Sequence, residues 1–234
     1  MLAIFRREVS TYFTSPIGYI FLAVYYFFSG YYFYGYNLYM GTTDMSMVFQ
    51  ALFSVLMFIV PILTMRLLSE DKRQKTDQAL LTAPVRLSSI VVGKFLAAFL
   101  IFAIGVAMTL VYAVVMSAFA QPDWIMVLGN VLGLLLLGAA LISIGLFISS
   151  LTENQVVAAV GSFAIMMIIM MLDGVISAIS WEWLTAIMNI ISFSTRYTDF
   201  TNGIFDISNV LFFISVAVIF NFLTVRVLEK KRWS

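Results

Sequence analysis

The chain has 234 residues, 62% hydrophobic and only 11% charged, with a mean hydropathy of +1.03. A soluble domain is about 45–50% apolar and about 25% charged, so the composition excludes an ordinary soluble protein and points to a polytopic membrane protein. Cys and His are both absent and the net charge is +1; disulfides, Cys or His metal ligation and the commonest general base are thereby excluded, and nothing suggests nucleic acid as a partner.

Residues 1–15 place Leu2, Phe5, Val9, Tyr12 and Phe13 on one helical face and Arg6, Arg7, Glu8, Ser10, Thr11 and Thr14 on the other. This pattern predicts a short amphipathic helix lying in the membrane interface, its basic pair suited to the cytoplasmic surface. Arg6 and Arg7 lead into polar residues rather than an apolar run, and no small-residue cleavage site follows. The first membrane segment is therefore expected to stay in the mature protein.

Pro16 and Gly18 break that helix, and residues 17–39 are uncharged and long enough to span, since about 20 residues cross ~30 Å of hydrocarbon. Tyr at the membrane boundary is expected. Tyr25, Tyr26 and Tyr32 are candidates to line an aromatic passage, because tyrosine hydroxyls at depth need partners or a wet cavity. Residues 49–68 return across the membrane, with Pro61 as a kink. Further spans are expected over 95–119, 125–149, 156–172 and 209–228. The fourth carries Gly129, Gly133, Gly138 and Gly145, small residues that let helices approach closely in lipid, either within the bundle or across a dimer face. Met166, Met167, Met170 and Met171 read as packing filler rather than a metal path.

Two regions do not span. Residues 173–208 are too broken to cross and too apolar to float in solvent, which predicts one or two short helices capping the bundle. Residues 69–94 form the one long polar stretch, flanked by Arg66. Within it Thr76-Asp77 can start a helix, Leu80 and Leu81 present an apolar knob, and Pro84 ends the helix. A knob on a charged loop suggests a partner groove; the plainer alternative is that the leucines rest on the lipid surface.

Six spans put both termini on one side. With the N-terminus inside, Arg6, Arg7, Arg66, Lys72, Arg73, Lys75, Arg86, Lys94, Arg226, Lys230, Lys231 and Arg232 fall in inner segments, and of the 13 Lys and Arg only Arg196 falls outside. The positive-inside rule then places the termini and residues 69–94 in the cytoplasm.

The pattern Glu70-x2-Arg73-x2-Thr76-Asp77-x2-Leu80-Leu81-x2-Pro84-Val85-x7-Gly93-Lys94 resembles the signature loop of ABC-2 type transporter permeases. It is most similar to the branch containing the gliding-motility-associated permease and the permease of nitrous-oxide-reductase maturation. The ending, with Phe200-x2-Gly203-x2-Asp206 and Leu228-Glu-x2-Arg232-Trp233, resembles the gliding branch as well. One departure stands out: Gln74-Lys75 occupies the place where that family commonly has Ser-Gly.

The resemblance implies an all-α, six-span permease with an interfacial helix, a cytoplasmic coupling helix and short extracytoplasmic helices before the last span, all one domain over 1–234 in the cytoplasmic membrane. It implies that Thr76, Asp77, Leu80 and Leu81 dock into a cytoplasmic ABC ATPase, that Glu70 and Asp71 position them, and that Pro84 and Val85 redirect the chain. No G-x-x-x-x-G-K-[ST] motif occurs, so ATP and Mg would belong to a separate ATPase, present in two copies, with a second permease chain completing the translocator. The chain itself is expected to bind no cofactor and to have no catalytic residue. The implied function is that of an exporter subunit. The alternative is a mechanotransmission or assembly protein that passes ATP-driven motion to a membrane partner with an extracytoplasmic domain, through residues 173–208. A polytopic enzyme is disfavoured, because the spans contain neither acidic residues nor His.

Overall fold

A computed structural model describes residues 1–76, 85–119, 121–178 and 190–233. Among them every regular element is helical. They are α1 (Leu2–Thr14), α2 (Pro16–Tyr32) with a π-helical continuation (Phe33–Tyr39), α3 (Ser46–Thr64), α4 (Ser69–Arg73) and α5 (Leu87–Ser117). There follow α6 (Trp124–Leu151), α7 (Gln155–Ala178), α8 (Phe193–Thr201) and α9 (Ile207–Trp233). Five of the described helices are long and apolar enough to cross a membrane: Ser46–Arg73, Leu87–Ser117, Trp124–Leu151, Gln155–Leu172 and Ile207–Arg232. The sixth expected span differs in form. Its α-helix stops at Tyr32, after 17 residues, and the chain goes on as the π-helix.

Why the helices begin where they do is local chemistry. Pro16 takes a first-turn position of α2, where a missing N–H costs nothing. Gly18 allows the tight turn from α1, since a Cβ there would sit 2.6 Å from the Tyr12 carbonyl oxygen. Asp123 caps α6 by accepting from the Ile125 and Met126 amides. Ser192 does the same for α8 and Asp206 for α9, through Thr195 N and Ser208 N. These three starts lie at one end of the bundle, so its polar turns are largely occupied in capping.

Helix α6 is the hub. It is apolar on every side and packs against α3, α5, α7, α8 and α9. Its glycines allow the close approaches. A Cβ at Gly138 would fall 2.1 Å from the Phe102 ring of α5, one at Gly133 2.7 Å from Phe200 of α8, and one at Gly145 2.1 Å from Thr64 of α3. At Gly129 a Cβ would meet nothing. Of the two roles open to these glycines, packing within the bundle therefore accounts for three.

The span after the loop is longer than the sequence suggests. Helix α5 starts at Leu87, eight residues before Phe95. Lys94, which marks a polar boundary in the sequence, lies inside the helix with its side chain only 2% exposed. The side chains that α7 and α9 expose are mostly apolar.

Candidate functional site

The polar stretch meets the bundle at a joint between α3 and α4. Pro61 lies in the last turn of α3, and residues 65–68 form a turn before α4 resumes. A helix end buried in apolar surroundings leaves amides and carbonyls without partners; here neighbouring helices supply them. Tyr12 of α1 donates to the Leu63 carbonyl at 2.8 Å. Ser149 Oγ of α6 accepts from the Leu68 and Ser69 amides at 3.0 and 3.1 Å and donates to the Met65 carbonyl at 3.1 Å. Lys72 Nζ donates to the Ser150 carbonyl, the next residue on α6. One hydroxyl thus serves three backbone groups at the break between α3 and α4.

Beside the joint lies a closed ring of charge drawn from three elements. Lys94 Nζ of α5 meets Glu8 Oε1 of α1 at 2.9 Å and Asp71 Oδ2 of α4 at 2.8 Å. Arg7 of α1 closes the circuit, 2.6 Å from Glu8 and 3.7 Å from Asp71. Glu8 and Asp71 are nearly as buried as Lys94, whereas Arg7 is half exposed. A desolvated ammonium is tolerated only when paired and hydrogen-bonded, and two carboxylates answer that need. Burial works against the charge of Arg7, but its hydrogen bond to Glu8 and the charges of Glu8 and Asp71 outweigh burial and raise its pKa above the ordinary value. Burial, helped by Glu8, likewise pushes the Tyr12 hydroxyl well up, so it stays protonated to donate to Leu63. Gly93 next to Lys94 lets α1 come close, its missing Cβ facing Ile4 at 3.2 Å. A cavity of about 280 Å³ opens here, lined by Arg7, Glu8, Arg66, Glu70, Asp71 and Lys94 among others.

The residues expected to position a docked helix fall at this place. Glu70 pairs with Arg66 at 2.7 Å and accepts from Gln74. Asp71 belongs to the ring, and Thr76 turns its hydroxyl back onto the Asp71 carboxylate at 3.0 Å. Lys75 follows α4 with φ of 57°, the left-handed conformation that favours glycine. In this chain a lysine adopts it. Val85 packs against the core. Asp77, Leu80, Leu81 and Pro84 lie outside the described residues.

Sequence reasoning missed Glu8, Tyr12, Ser149 and the burial of Lys94. Glu8 and Tyr12 were assigned to opposite faces of α1, yet both are buried, because α1 packs against α5 and α2 as well as presenting Leu2 and Phe13 outward. A signal existed: a lysine directly after a glycine at the head of an apolar run needs an acidic partner.

The other end of the bundle is closed by α8. Tyr197 donates to the Phe49 carbonyl at 2.8 Å and stacks on Phe53, Phe200 fits over Gly133, and Gln50 reaches Thr201. Arg196 ties α8 to α9 through Asn209 and stacks on Phe212, while Asn209 donates to Asp199. The aromatic candidates pack within the chain. Tyr25 is buried against Phe21 and Gly105, Tyr26 donates to the Ile104 carbonyl, and Tyr32 stacks between Phe28 and Tyr36.

Compared with known families, residues 2–233 match the model of one described as ABC-2 family transporter protein. No curated protein matches the chain.

Proposed function

This chain belongs to the ABC-2 transporter family, and from that premise we propose that it is the permease of an ATP-driven exporter in the cytoplasmic membrane, moved by a separate ATPase through residues 69–86. Membership makes it a multi-pass membrane permease component of an ABC transporter, the part that works with an ABC ATPase subunit and usually a second permease. The finer reading assigns six spans, with the Pro16–Tyr39 helix as the first, α1 in the interface, and both termini inside.

The observation that carries it is the joint. The segment similar to a coupling loop starts from a joint whose backbone is held by α1 and α6 and whose first acidic residues pair with Arg66 in the turn itself, with α1 and with α5. A push on such a loop reaches four helices at once. The end of the bundle carrying this joint also carries α1, the 152–154 turn and the tail of α9, where Lys231 lies 4.0 Å from Glu153. The bias of Lys and Arg supports a cytoplasmic position for that end. ATP and Mg would sit on two ATPase copies, and two permease chains would rock against each other as rigid bodies.

Leu80→Asp with Leu81→Asp tests the docking. The variant should lose the co-purifying ATPase while remaining in the membrane at wild-type level. A complex that survives both substitutions refutes the assignment. The second reading, motion passed to an extracytoplasmic partner of the gliding-branch kind, is favoured by the rigid attachment of α8 to α3, α6 and α9. Capture of a membrane protein with a large extracytoplasmic domain, lost on substituting the exposed Ile204 and Phe205, would decide for it.

A further inference from the structure

We propose that Lys94 is a positioning residue that staples the base of the 69–86 loop, so that α1, the first half of the loop and α5 move as one lever. The proposal rests on the reading of that loop as the ATPase-docking segment. The loop leaves the bundle through α4 and returns at Leu87, the start of α5. Asp71 stands on its outgoing helix α4 and Lys94 two turns into the helix that receives it. Their 2.8 Å ion pair therefore spans the loop at its root.

Glu8 makes the staple three-way. It lies on α1, which has no chain connection to the loop nearer than α2 and α3, and its pair with Lys94 fixes α1 to the same point. Arg7 then closes the ring against Asp71, so the two carboxylates and two cations alternate in sign around it. A well-packed apolar group could fill the same space with equal or better stability. What alternating charges add is direction: Lys94 meets both carboxylates in one arrangement, and removing the ammonium leaves Glu8 and Asp71 with only the half-exposed Arg7 between them. Displacement of the loop cannot be absorbed by bending at its root and is passed to α1.

Two measurements test this. Full-length chain in detergent is digested with trypsin, following cleavage after Arg73 and Lys75 relative to cleavage in the Lys230–Arg232 tail, which reads general unfolding. Lys94→Met should speed the first at least tenfold and leave the second unchanged, and Lys94→Arg should restore the slow rate. No change, or equal acceleration at both places, overturns the staple. In the second, the cysteine-free chain receives Arg6→Cys, exposed on α1, and is purified with its ATPase. Maleimide labelling should respond to ATP, and the response should vanish in Lys94→Met while the ATPase stays bound. An unaltered response refutes the lever. If no ATPase co-purifies, the docking reading fails, and the trypsin comparison still decides on the staple.

Discussion

Ser149→Ala should be among the most damaging conservative changes in the chain, because one hydroxyl serves three backbone groups at the joint. Its Oγ accepts from the Leu68 and Ser69 amides and donates to the Met65 carbonyl. The carbonyl keeps a second partner in Ser69 Oγ, so the loss falls on the two amides. An unsatisfied buried donor costs about 1–3 kcal/mol. Relaxation of the turn recovers part of this, which leaves about 2–4 kcal/mol. Domains of similar length shift by about 2–4 °C per kcal/mol, so the thermal midpoint in detergent should fall by roughly 4–16 °C. Ser117→Ala is the control. Its hydroxyl also bonds a backbone carbonyl, that of Val114, but at an exposed position, and it should shift the midpoint by less than about 2 °C. Circular-dichroism melting of both variants in the same detergent gives the comparison. If Ser149→Ala melts with Ser117→Ala, the joint is not held by that hydroxyl.

Lys75→Gly should stabilise the chain by about 0.5–1 kcal/mol, since the left-handed φ of 57° strains a side chain by about 1–2 kcal/mol and glycine's greater unfolded freedom offsets only part of that; a lower melting midpoint would contradict it. Gly138→Ala should destabilise by about 1–3 kcal/mol, because its Cβ would lie 2.1 Å from the Phe102 ring. Gly129→Ala, with open space around it, should gain about 0.5–1 kcal/mol of helix propensity, so the two glycines of one helix should move the midpoint in opposite directions. Tyr197→Phe should cost about 0.5–1.5 kcal/mol through the lost bond to Phe49, whose carbonyl keeps its helical partner, and should speed proteolysis around α8 before it affects the joint.

How much was legible in the sequence depended on how far apart the relevant residues stand. The membrane character, the helical class and the polar stretch after α3 come from runs of twenty residues or so, where composition alone decides. The five long apolar helices fall close to where those runs place them. The first expected span is uncharged throughout, yet its α-helix gives way at Phe33 to a π-helix, a change of winding that apolar patterning does not encode. The start of α5 was misplaced because a lone Lys94 looks like the edge of a span until its acidic partners are known, and those stand 86 and 23 residues away in the chain.

The same distance explains why the joint stayed hidden. A serine near the end of an apolar helix carries no local sign that it will bond amides on another helix, and Tyr12 reads as one more apolar residue of an amphipathic face. Several motif residues nevertheless meet at the joint. Glu70 holds Arg66, Gly93 admits α1, and Lys94 binds Asp71 and Glu8. Lys75 of the Gln74-Lys75 pair takes the left-handed conformation that favours glycine. The pattern beyond the leucines is thus a description of the root of the loop. A chain keeping Leu80 and Leu81 but losing Lys94 should still hold its ATPase while its α1 ceases to follow it.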